Sequence, residues 1–185
     1  MKKTLLTLLA VTGIALCACS GSKVSQEKFA EEANKVEAHT YTEATVKYEI
    51  SYDLLLTKDE GKGEIKYTRG DDGKWTTTSE DERADDFVTE LEANVRGFQP
   101  TSNAEVPDNV EMKVEYYVNP FKIVMSAKGS SESAGTKADV TYKGEYQFDK
   151  YGYMTYAYTD MKIETTMGSS KIVMFDLETI TISYK

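Results

Sequence analysis

Cys17, Cys19 and His39 are the only thiols and the only imidazole in this 185-residue chain. Nucleophilic catalysis by serine or cysteine needs a base within hydrogen-bond reach. Any Ser-His-Asp or Cys-His arrangement would therefore have to pass through His39. That histidine falls at the expected end of a helix, where an imidazolium suits the C-terminal dipole. No G-x-S-x-G turn, phosphate-cradling glycine loop or His-rich metal pattern occurs. The acidic pairs Asp59-Glu60, Asp71-Asp72 and Asp85-Asp86 fall in expected turns or on the wet face of a helix. Without a twelve-residue calcium loop they read as solvated charge. Trp75 is either a stacking platform for a ligand or a packing residue. No catalytic residue, no metal and no cofactor is expected, and the chain does not read as an enzyme.

The chemistry that remains belongs to Cys19. Lys2-Lys3, an apolar run from Leu5 to Leu16 and the small Ala18 make a secretory signal. The run is shorter than the roughly 20 apolar residues of a membrane span. With Leu16-Cys17-Ala18 before Cys19, the segment resembles a bacterial lipoprotein signal, residues 1–18, whose cysteine becomes the lipid-bearing N-terminus of the mature chain. The resemblance implies a covalent diacylglyceryl and acyl (palmitate-type) anchor on Cys19, followed by a tether over residues 19–24. At about 0.8 kcal/mol per buried CH₂, such chains hold a domain on a bilayer effectively for good. Cys17 as the modified residue, or an ordinary cut after Ala18 leaving Cys19 as a free thiol, are the alternatives. The protein is thus expected to be exported and held on the cell membrane or the outer membrane.

Loss of residues 1–18 removes Lys2 and Lys3 and takes the formal charge from −9 to −11. Strong acidity excludes nucleic acid as a partner, since phosphates need clustered Lys and Arg. After processing, the anchor is the one cysteine left, so no disulfide and no zinc–thiolate site can form. Residues 25–185 are long enough for one domain that stands on apolar burial.

Two periods organise that domain. Phe29, Ala33 and Val36 predict a helix over Ser25–His39, with Ser25 as its cap. Ala44, Val46, Tyr48, Ile50, Tyr52 and Leu54 then alternate with polar residues and predict a long strand. A hairpin turn at Asp71-Asp72-Gly73 leads to Trp75. Ser79 and Glu82 suggest a capping box for a second helix, with Phe87, Val88, Leu91, Val95 and Phe98 on its apolar face and Gly97 at its end. A loop follows from Gln99 to Asn109. The remainder reads as a meander of short strands: Met112–Val118, Phe121–Ala127, Val140–Phe148, Tyr153–Tyr158, Met161–Thr166, Ile172–Phe175 and Ile180–Tyr184. Tyr151, Tyr153, Tyr156 and Tyr158 change spacing from even to odd, which puts rings on both faces.

The expected fold is mainly β (α+β). It is a single curved antiparallel sheet forming an incomplete barrel, with an N-terminal helix and a second amphipathic helix covering the concave face. This order of elements, on a lipoprotein anchor, resembles the LolA/LolB-type lipoprotein-carrier superfamily of half-barrels. The resemblance implies an apolar cavity that holds a lipid or other hydrophobic ligand. The expected wall is Val46, Tyr48, Ile50, Tyr52, Trp75, Phe121, Ile123 and Met125, and the expected lid is Phe87, Leu91 and Val95. Bulky Tyr, Met and Phe at inward positions would equally fill a small barrel. The alternative is therefore a filled-core envelope module that displays Tyr156 or Tyr158 to a protein partner.

Overall fold

Period-two alternation becomes strand wherever the sequence carries it. The computed structural model describes residues 21–54, 57–98, 109–133 and 135–185. The signal segment, Cys19 and residues 99–108 of the expected loop lie outside them. In chain order the elements are β1 Ser22–Val24, α1 Gln26–Ala33, β2 Glu43–Leu54, β3 Thr57–Arg69, β4 Trp75–Thr76 and α2 Val88–Glu92. Then come β5 Val110–Val118, β6 Phe121–Ser133, β7 Thr136–Phe148, β8 Met154–Met167 and β9 Ser170–Tyr184. The strands form one antiparallel sheet in the order β1-β5-β6-β7-β8-β9-β2-β3-β4. The sheet is unclosed, with β1 and β4 at its edges. Its first long strand pairs with its last, from Ala44↔Tyr184 to Asp53↔Phe175.

The hairpins are longer than the residue pattern implies. β8 and β9 are continuous strands of 14 and 15 residues where shorter pieces are expected. The Ser130–Ser133 stretch, expected as turn, pairs in register with Thr136–Asp139. Ser130–Ser133 is polar on both faces, and Thr159-Asp160 in β8 and Asp176 and Glu178 in β9 interrupt the apolar alternation, while the backbone ladder carries on. Residues 22–24, expected as tether, form edge strand β1 against Val118, Tyr117 and Tyr116 of β5. The tight Asp149–Gly152 turn closes where expected, with Gly152 at φ 83°.

Both helices are shorter than their apolar stripes suggest. Ser25 caps α1 by accepting from the Lys28 N–H at 3.2 Å. The helix ends at Ala33, and beyond Val36 no further apolar residue appears at helical spacing to hold it down. His39 stacks instead on Tyr151 with ring centroids 4.1 Å apart. The second helix, expected from Ser79, is α-helical only over Val88–Glu92. Ser79 Oγ accepts from the Asp81 N–H and Asp81 Oδ1 from the Arg83 N–H. Such local bonds offer the backbone an alternative to helix, and five acids between Glu80 and Asp86 add like-charge repulsion.

The core occupies one half of the sheet. Val46, Ile65, Tyr67, Leu91 and Ile123 are its most deeply buried members, joined by Phe29 and Ala33 of α1 and by Phe87 and Val95. Burying side chains of this size fully stabilises by about 1.5–3 kcal/mol each.

Candidate functional site

Each cross-strand row on the inward face can be followed from β2 to β6. One row runs Tyr48, Ile180, Ala157, Tyr146, Ile123. The next runs Ile50, Glu178, Thr159, Gly144, Met125, and the one after it Tyr52, Asp176, Met161, Tyr142, Ala127. Beyond these come Met174, Ile163, Val140 and Gly129. The first row is closed into the core. From Glu178 and Thr159 outward the residues are mostly half-buried, and Ile172 and Met167 near the β8–β9 turn are exposed. Apolar side chains therefore continue along the inward face past the point where the core stops.

The segment over that boundary is tied down at both ends. The Tyr48 hydroxyl donates to Asp81, and the Tyr67 hydroxyl donates to the Ala84 carbonyl at 2.7 Å. Arg83 ion-pairs with Asp59 and lies over the Tyr48 ring, 5.7 Å from its centroid. At the other end the Val95 N–H donates to the Gly152 carbonyl at 2.7 Å, and the Met154 N–H to Ala93 at 3.3 Å. These bonds place Phe87 and Leu91 in the core and leave Glu90 and Phe98 at its margin.

Between this segment and the sheet lies a cavity of about 260 Å³, lined by Glu90, Phe98, Tyr146, Ala157, Thr159 and Glu178 among others. A second, of about 380 Å³, lies between Phe29 and Ala30 of α1, Val95 to Phe98, and Met112, Val114 and Tyr116 of β5. Phe98 borders both, its ring 4.9 Å from Tyr146 and 5.1 Å from Phe148. Small residues make the first hollow: Ala157 and Thr159 lie on its floor, and Gly144 lets the Tyr142 ring lean over. The hydroxyls of Tyr142 and Tyr146 then lie 3.0 Å apart. A depression of about 280 Å³ over Thr45, Lys66 and Ser183 is polar, and its β2 and β3 residues Thr45, Lys66 and Thr68 alternate with the core positions.

Three carboxylates meet this apolar surface. Burial pushes Glu178 above the usual carboxylate range, and the charges of Asp176, Glu90 and Asp86 push it further. Glu90 is raised chiefly by burial, with a contribution from Asp86, and Asp176 by burial alone. Glu90 Oε2 and Asp176 Oδ1 are buried without a hydrogen-bond partner. Among the described residues none of the three forms an ion pair with a cation, and no group of three His, Cys, Asp or Glu is arranged to hold a metal. The site offers an apolar floor with hydroxyl and carboxyl groups at one margin.

No family model, curated protein or solved structure matches the chain.

The expected wall and lid residues fall mainly elsewhere. Val46, Tyr48, Ile50, Ile123 and Met125, with Phe87, Leu91 and Val95, are packed in the core. Phe121 packs edge-on to Phe29 at 5.6 Å. Trp75 is buried at the β4 edge under the Arg69 guanidinium, 5.4 Å from its ring, with its Nε1 unpartnered. Tyr52 lies half-buried on the row beyond Glu178. Of the eleven residues, Val95 alone lines either cavity. Glu178, Thr159, Ala157 and Tyr146 were missed. One signal for them was present: the alternation Ile182, Ile180, Glu178, Asp176, Met174, Ile172 carries two acids on an otherwise apolar side of β9.

Proposed function

We propose that the protein is an envelope lipoprotein, held by acylated Cys19, that binds a hydrophobic ligand or lipid between the second helix and the inward face of a half-barrel sheet. The observation that carries this reading is the cavity under the α2 segment. It borders apolar rows that the core leaves half-buried. Ligand pockets combine an apolar lining with a few polar groups that fix orientation. Here the lining would be Phe98, Ala157 and Ile180, and the polar margin Glu90, Glu178 and the Tyr142–Tyr146 hydroxyls. In this reading α1 and α2 cover the concave side and the ligand extends along the Met161 and Ile163 rows.

The test is binding of an environment-sensitive apolar dye to the purified domain, residues 20–185, with displacement by fatty acid or phospholipid. Saturable binding that Thr159→Leu abolishes supports the reading; binding unaffected by that substitution contradicts it.

A second reading has its own support. Nine of the eleven expected ligand residues are packed in the core, and the outer face carries Tyr156, Tyr158, Phe175, Val173 and Leu177, the last two 42% and 40% exposed. A filled-core module presenting this face to a protein partner fits those facts. It predicts that Tyr158→Ser weakens capture of that partner and leaves dye binding unchanged.

A further inference from the structure

The chain enters the sheet almost at once after Cys19. Gly21 lies against the β5–β6 turn so closely that an added Cβ would stand 3.0 Å from the Val118 carbonyl oxygen and 3.1 Å from that of Pro120. Ser22 already pairs with Val118. At roughly 3.5 Å per residue, the two steps from Cys19 to Gly21 span at most about 7 Å. Acyl chains on Cys19 would therefore hold one corner of the sheet against the bilayer, with no free tether between them.

That corner has the surface chemistry of a headgroup contact. On the outer face Tyr117 stands between Lys23 and Lys122, its cross-strand partners on β1 and β6. The Lys122 ammonium lies 4.9 Å from the Tyr117 ring centroid. Glu115 is engaged by Lys23 at 2.6 Å, by Lys113 at 2.8 Å and by the Tyr117 hydroxyl at 2.8 Å. Two lysines and a tyrosine hydroxyl thus engage one carboxylate, with Lys122 beside them over the Tyr117 ring, on a chain whose mature formal charge is −11 once the two signal lysines are lost. Glu145, opposite Val124 on β6, is the next acid along the face. Tyrosine and lysine are the residues that settle at a membrane interface, and cations beside an anchor add attraction to anionic lipid.

We infer that the corner formed by β1, the end of β5 and the start of β6 is a bilayer-docking surface, which seats Lys23, Lys122 and Tyr117 among anionic headgroups. The inference rests on the reading of Cys19 as the acylated residue. The row that carries Lys122 reaches β9 at Thr181. From there to Ser170, at the β8–β9 turn, is roughly 35 Å of strand. The half-buried apolar rows consequently extend away from the membrane that holds the anchor.

The test uses the lipidated chain in vesicles of phosphatidylethanolamine and phosphatidylglycerol. Acylation leaves an introduced cysteine as the only thiol, so Lys122→Cys and Ser169→Cys proteins can each carry one fluorophore. Lipids with a headgroup spin label should quench the probe at 122 strongly and the probe at 169 not at all. Adding Lys23→Glu to the 122-labelled protein should reduce the quenching. Equal quenching at both sites, or none at 122, overturns the inference. Intact-mass measurement of the same samples separates the two failures. An acylated chain without quenching at 122 removes only the docking surface; an unacylated chain removes the anchor reading, and the docking surface with it.

Discussion

At one end of the sheet Val46, Ile65 and Ile123 are sealed from solvent. At the other, on the same inward side of the same kind of strand, Leu54 and Ile172 are each 38% exposed and Met167 is 54% exposed. The alternation is equally regular in both places. The difference lies in what faces it: Phe29, Phe87, Leu91 and Val95 reach one half only. A period of two decides which side of a sheet a residue occupies, whereas its burial is decided by the elements that cross that side.

The largest expected contrast is in stability. Leu91→Ala, in the sealed half, should cost about 2–5 kcal/mol. Ile163→Ala, a comparable truncation in the half-buried rows, should cost less than about 1.5 kcal/mol, because its side chain already meets water. Urea unfolding of the two variants measures both. Equal losses would mean that the open half is as well packed as the core.

Filling the boundary comes next. Thr159→Leu should reduce affinity for an apolar dye at least about tenfold, equivalent to about 1.4 kcal/mol, with little change in the unfolding midpoint. A tight-binding variant would move the ligand elsewhere on the face.

Titration should separate the halves more gently. In the folded protein Glu178 and Glu90 hold their protons to higher pH than in the unfolded chain. Their contribution to stability is therefore fully present below the unfolded value near 4.5 and is lost as pH rises through the raised folded values. Thermal midpoints should show a component that increases as pH falls from 7 toward 5, flatter in Glu178→Gln, and that variant should be the more stable one at pH 7. A Glu178→Gln curve parallel to the parent's would contradict this.

The smallest effect is expected at a flaw inside the sealed half. Trp75 Nε1 is buried without a partner, and an unmet donor costs about 1–3 kcal/mol. Trp75→Phe loses ring volume but relieves that cost, so its midpoint should stay within about 1 kcal/mol of the parent. A loss beyond about 3 kcal/mol would show that the indole is well satisfied.

Much of the fold was legible in the residues. The β2 alternation, the hairpin turns at Asp71-Asp72-Gly73 and Asp149–Gly152, the Ser25 cap and the split of the tyrosines between faces all follow from local chemistry. Tyr151 and Tyr153 join His39, Tyr41 and Tyr184 in one aromatic cluster, while Tyr156 and Tyr158 lie on the outer face, opposite Thr181 and Thr179. The length of the second helix was not legible, because Ser79 with Glu82 fits a capping box while Ser79 and Asp81 instead accept bonds in a run of local turns. Tertiary partners, Tyr48 for Asp81 and Asp59 for Arg83, accompany the turns. The cavity residues were hidden for a related reason. Hollows form where residues are small, at Ala157, Thr159 and Gly144, and a search for bulky wall residues leads to the core instead.

The central claim is that the boundary between the halves holds a hydrophobic ligand. Native mass spectrometry with organic extraction, on residues 20–185 produced in a bacterial cytoplasm, tests it most directly. A co-purifying acyl species, absent from the Thr159→Leu variant, is the predicted result. A clean ligand-free mass for the parent, together with no uptake of added fatty acid or phospholipid, would contradict the claim and turn attention to the outer face.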